Sequence, residues 1–126
     1  MQFHNHKPIY LQIGDYIIDN ILKQKMKSGD RVPSVREFAL LAEVTPNTAM
    51  RAFQFLQEKN IIFNKRGIGY FISEQALDIA KQIKLDEFVN EQLPLFFKQM
   101  DILKLDFDSL KNYYSNYKNK KNEKEN

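Results

Sequence analysis

The chain has 126 residues, no cysteine, 43% hydrophobic and 28% charged positions, and a formal net charge of +3. That length can bury one small core with an appended helical element, and the lack of cysteine excludes disulfides and thiolate metal sites and fits a reducing interior. Apolar runs extend only a few residues, against the roughly 20 needed to cross a bilayer. The opening "QFHNHK" is no signal-peptide core, so a cytoplasmic protein with no membrane partner is expected.

Charge is unevenly placed. Residues 1–72 hold ten Lys+Arg against six Asp+Glu, whereas residues 73–126 hold nine against ten, and all four arginines (Arg31, Arg36, Arg51, Arg66) fall in the first part. Arginine suits bidentate contact with phosphate and guanine, so the asymmetry mildly favours a nucleic-acid-facing N-terminal domain.

The first periodic segment opens at Pro8, a residue suited to a first helical turn. Ile9, Ile13, Ile17 and Ile21 recur every fourth residue, which predicts a helix to about residue 24. "KSGDRVPS" breaks it, and Ser34 is a good N-cap for a short helix over 35–42. After Glu43 and Val44, Thr45 as N-cap and Pro46 at the first helical position predict a further helix over about 46–59. At helical spacing Ala49, Ala52, Phe53 and Leu56 share one side; Asn47, Met50, Arg51 and Gln54 occupy the other. Two short helices joined by a tight turn have helix-turn-helix spacing.

Beyond Asn60 the period becomes extended. "IIFNKRGIGYFIS" holds two β-prone runs, 61–64 and 70–72, about a Gly-containing turn with Lys65 and Arg66 at its tip. A helix-turn-helix followed by a basic hairpin is the winged-helix arrangement, with 7–73 as its domain. Ser73 can cap the next helical stretch, in which Pro94 is expected to introduce a kink or a division. Asp106 reads as another N-cap, ahead of Phe107, Leu110, Tyr114 and Tyr117 at near-helical spacing. Residues 118–126 have nothing to bury and are expected to be disordered. The fold class is therefore mainly α with a small β-hairpin wing: a winged helix-turn-helix domain plus a C-terminal helical dimerisation region at 74–117.

Four blocks, "PIYLQIGDYI", "SGDRVPSVREFA", "VTPNTAMRAFQFLQEKNII" and "KRGIGYFI", resemble in order and spacing the GntR family of bacterial winged helix-turn-helix transcription regulators. The form "PNTAMRA" with a short helical C-terminal region is similar to the YtrA subfamily, whose members carry a two-helix dimerisation module. The resemblance implies that Arg36 contacts DNA from the start of its helix, that Asn47, Thr48 and Arg51 lie on the recognition helix, and that Gly67 and Gly69 form the wing. Many members have arginine where this chain has Pro46 and Met50, so the operator sequence does not follow by analogy. Glu43 stands where such a turn often has glycine, and a left-handed residue there costs on the order of 1 kcal/mol.

The same residues make physical sense without the resemblance. The amino end of a helix entering the major groove needs polar side chains that reach base edges. Thr45, Asn47, Thr48 and Arg51 supply them, and a carboxylate there would repel DNA. Arg36 adds charge at a helix amino end that already favours phosphate. Lys65 and Arg66 can follow the backbone into the minor groove, adding salt-dependent affinity.

Each position also has a plainer reading. The polar helix face could be merely solvated, Arg36 could pair with Glu37, Asp30 or Glu43, and Lys65 and Arg66 could only guard a hairpin edge. Tyr10 reads as a packing residue, with a phosphate contact as the alternative. His4 and His6 read as a frayed terminus, since no carboxylate cluster completes a metal site. No catalytic triad or phosphate-cradling glycine pattern is present, so neither an enzyme nor a cofactor is expected.

Phe88, Phe96, Phe97, Phe107, Leu110, Tyr114 and Tyr117 are too many apolar side chains for two helices to cover alone, which points to a dimer interface. A twofold dimer would present recognition helices about 34 Å apart, or a multiple of that, to a palindromic operator on double-stranded DNA. A small-molecule effector stays unidentified, and a cavity inside so small a module is disfavoured. The expected function is a sequence-specific, homodimeric transcription repressor. The alternative is a winged-helix module that docks a protein partner without specific DNA binding.

Overall fold

The computed structural model describes residues 1–125. The order of elements is α1 (Ile9–Leu22), β1 (Arg31–Val32), α2 (Val35–Ala42), α3 (Pro46–Glu58), β2 (Ile62–Lys65), β3 (Gly69–Ile72), α4 (Ala76–Glu87), a π-helical turn (Phe88–Gln92), α5 (Leu93–Leu103) and α6 (Phe107–Glu125). By compactness the chain divides into two units, 1–84 and 85–126.

In the first unit α1, α2 and α3 enclose a core made from the residues that recur at helical spacing. Ile13, Ile17, Ile18, Phe53, Leu56 and Ile61 are closed to solvent. Phe53 sits at the centre, its ring edge-on to Phe38 at 5.9 Å and to Tyr70 at 5.0 Å. Gly14 sets how closely α1 approaches α3, because an added Cβ there would lie 3.0 Å from Phe55 Cδ1. The expected hairpin is present but gains a third strand: antiparallel order β1-β3-β2, with Arg31 opposite Phe71 and Phe63 opposite Phe71 on the other side. A two-residue strand has too few positions to show alternation, which is why β1 reads as loop in the sequence.

Several expectations need correction. The first unit extends past residue 73 because Ala76 and Ala80 are buried in its core and Ile83 packs against it. Lys84 also reaches Asp15 of α1 at 3.1 Å. Ser73 does not cap α4 with its hydroxyl; Oγ donates to the Asn60 carbonyl at 2.7 Å. The residues before α1 are tied down, not frayed. The Gln12 amide accepts from His4 N at 3.0 Å and donates to the carbonyls of His4 and Lys7 at 2.8 and 2.6 Å.

In the second unit the interruption expected at Pro94 takes the form of the π-helical turn at Phe88–Gln92, with Pro94 in the first turn of α5. Proline has no N–H to donate and its ring crowds the carbonyl four residues earlier, and a wider turn relieves both. The tail from residue 118, expected to be disordered, continues α6 through Glu125, and Asn126 lies outside the described residues. No glycine or proline interrupts it, and Lys124 in the last turn favours the negative end of the helix dipole.

Candidate nucleic-acid interface

The site is assembled from two capped helices and a turn. Ser34, in extended backbone, accepts a hydrogen bond from Glu37 N at 3.1 Å and starts α2. Arg36 therefore stands in the first turn of that helix, exposed. Glu43 ends α2 in the left-handed region (φ 56, ψ 46), its N–H directed back to the Ala39 and Leu40 carbonyls. This is the conformation a glycine would take more easily, at a cost of about 1 kcal/mol for a side-chain-bearing residue.

Thr45 then caps α3, with Oγ1 accepting from Thr48 N at 3.2 Å. The Thr48 hydroxyl lies 2.9 Å from Thr45 Oγ1, so the two threonines of the expected reading face engage each other and build the helix start. Asn47 and Gln54 are exposed, while Ala49, Ala52, Phe53 and Leu56 on the opposite side are buried. Glu58, at the far end, is the first acidic residue of α3. Arg51 is exposed, and its guanidinium stacks 4.2 Å from the centroid of Tyr10 on α1. Tyr10, read from the sequence chiefly as a packing residue, thus also supports Arg51 through the negative face of its ring.

The wing turn runs from Lys65 to Ile68, closed by Ile68 N donating to the Lys65 carbonyl at 2.9 Å. Gly67, third in this turn, has φ +78, the positive value a type II turn requires. Gly69 has φ +138 and lies against Arg31. Lys65 Nζ stands 5.3 Å from the Phe71 centroid. Lys65, Arg66 and Gly67 are exposed and Gly69 is half-buried. Arg36, Asn47 and Arg66 make no ion pair or side-chain hydrogen bond among the described residues. Arg31 was not among the expected site residues; the concentration of every arginine before residue 73 was the only sequence signal for it.

Among the residues proposed for dimerisation, Phe88, Phe96, Phe97, Phe107, Tyr114 and Tyr117 are 43–74% exposed. Leu110 is half-buried. Phe96, Phe107, Leu110 and Tyr114, with Lys111, line an open apolar groove of about 580 Å³. Among the described residues, no group of three His, Cys, Asp or Glu side chains is arranged to hold a metal ion, and no helix is long and apolar enough to cross a membrane.

Helix-turn-helix, three-stranded sheet and basic wing define a winged helix-turn-helix protein of the DNA-binding class. The chain belongs to the GntR family: the family model of bacterial regulatory proteins, gntR family, matches residues 9–72. It is 41% identical over 104 residues to the HTH-type transcriptional regulator YhcF of Bacillus subtilis, covering 82% of this chain and 84% of that one. It is also 41% identical over 86 residues to the HTH-type transcriptional repressor YtrA of Bacillus subtilis, covering 68% of this chain and 65% of that repressor. A GntR-family regulator from Bacteroides thetaiotaomicron shares the fold with a TM-score of 0.78 at 34% identity, over 90% of this chain and 98% of that chain. The protein is a GntR-family transcription regulator with a DNA-binding helix-turn-helix fold.

Proposed function

We propose that the chain is a sequence-specific repressor that binds a palindromic operator as a homodimer in the cytoplasm. The observation that carries this reading is the outer face of α3, which presents Asn47 and Arg51 to solvent with no carboxylate before Glu58. Asn47 and Arg51 read base edges, the latter held by Tyr10. Thr45 and Thr48 fix the start of the helix and meet the backbone there. Arg36 and the wing, Lys65, Arg66, Gly67 and Gly69, contact phosphates. The repressor assignment follows the similarity to YtrA.

The homodimer is supported by the second unit, in which no side chain is buried among the described residues. Large aromatic side chains in that state are stabilised by a second copy of the same surface.

Footprinting the purified full chain over the region upstream of its own gene tests the reading. A protected site with twofold symmetry, and affinity that falls steeply with added salt, is the expected result. Binding that is insensitive to salt, with no protected sequence, favours a protein-docking module instead.

A further inference from the structure

The outward face of the small sheet carries more positive charge than the wing turn alone. Residues directly paired across an antiparallel ladder share a face, so Arg31, Phe71 and Phe63 form one row across β1, β3 and β2. Lys65 and Gly69, two positions along, form the next row on that face. Phe63 and Phe71 stack with centroids 6.0 Å apart, and the Lys65 ammonium lies over Phe71. Arg31 leans across Gly69: a Cβ at 69 would lie 3.3 Å from Arg31 Nε and 3.6 Å from Nη2. The missing side chain at 69 therefore makes the space the guanidinium occupies.

Among the described residues no carboxylate pairs with this group. Asp30, next to Arg31, accepts a hydrogen bond from Lys27 N at 2.8 Å and is drawn back into its own loop. Among the described residues Arg31, Lys65 and Arg66 have no ion pair and no side-chain hydrogen bond. Cations gathered on one sheet face beside a turn, without counter-charge, repel one another until an anion joins them. A guanidinium lying against Gly69 with its N–H groups unpaired among the described residues can offer the two-pronged contact that phosphate accepts.

We propose that Arg31 is a further phosphate contact of the wing, so that the DNA-binding surface runs from the turn at Arg66 across the outer face of the sheet onto β1. Its ligand is the phosphodiester backbone of the duplex beside the wing. This inference rests on the DNA-binding reading above and adds a residue and an element to it.

The test uses the full chain and a random-sequence duplex, with binding followed by fluorescence anisotropy over a salt series. Wild type, Arg31→Gln, Arg31→Lys and Lys65→Gln are compared, with thermal unfolding as a check that each remains folded. Arg31→Gln is expected to lower the log–log salt slope by about 0.9 and to weaken binding roughly three- to tenfold near physiological salt. Arg31→Lys retains the slope and loses only part of the affinity. If Arg31→Gln matches wild type in slope and affinity while Lys65→Gln does not, the proposal is overturned and the DNA-binding reading survives. If wild type itself shows no salt-dependent binding, that reading falls and the proposal with it. A loss for Arg31→Gln confined to the footprinted sequence also overturns it, since Arg31 would then be reading bases.

Discussion

Residues 1–84 contain every buried side chain among the described residues, whereas from residue 85 onward the aromatic side chains stand in solvent. In the first unit three helices and a sheet close around Phe53, and although single apolar side chains such as Leu40 and Leu41 stay exposed, most of its large apolar residues are buried or packed against that core. In the second, α5 and α6 carry apolar side chains, none of them buried among the described residues. The contrast teaches that apolar side chains alone do not make a core; several elements must converge on them. Where they do not, the same residue types become a surface for another molecule.

The sharpest way to break this contrast is to cut into the first core. Phe53→Ala is expected to destabilise the winged-helix unit by about 3–5 kcal/mol in denaturant unfolding, the cost of a cavity among rings that cannot collapse. A loss of less than about 1 kcal/mol would show that Phe53 is not the centre of that core. In the second unit the equivalent truncations act on association. Phe96→Asp and Phe107→Asp are each expected to weaken the proposed dimer by roughly 2–4 kcal/mol, read by sedimentation velocity, while unfolding of the first unit changes little. A wild-type chain that stays monomeric at high concentration would sink the dimer.

Arg51→Ala sharpens the comparison within the first unit, because it removes a surface group that the core does not need. Its expected cost is about 1–3 kcal/mol on the footprinted sequence and much less on random DNA. Equal losses on both would show that Arg51 meets only the backbone.

The smallest effect concerns Asp106. Its carboxylate accepts a hydrogen bond from Ser109 N at 2.8 Å, and this contact first, then the Ser109 side chain, holds its pKa below the ordinary carboxylate range. The sign follows: the folded pKa lies beneath the unfolded one, so the cap stabilises α6 fully above about pH 4 and is lost as pH falls further through the lowered value. Circular dichroism of Asp106→Asn against wild type would reveal it. An identical acid titration for both would contradict the cap.

Much of the first unit is legible in the sequence. The every-fourth isoleucines of α1, the Ser34 and Thr45 caps, Pro46, and the glycines about the wing each act through neighbours a few residues away, so local order suffices to read them. The same holds for the exposure of Asn47 and Arg51, which follows from helical spacing once the buried face is identified. The stack of Arg51 on Tyr10 and the placement of Arg31 over Gly69 join residues some 40 positions apart, and no short window contains them.

In the first unit the sequence by itself determined where α1, α2 and α3 form, which of their faces turn inward, and that a polar, carboxylate-free helix start follows a tight turn, because capping, periodicity and turn chemistry are local. Only the tertiary structure decided that Arg31–Val32 joins the wing as a third strand, that the first unit extends to Lys84, and that Tyr10 on α1 meets Arg51 on α3. Each of those depends on which distant groups come within bonding or packing distance, a property of the folded chain that no stretch of it contains alone.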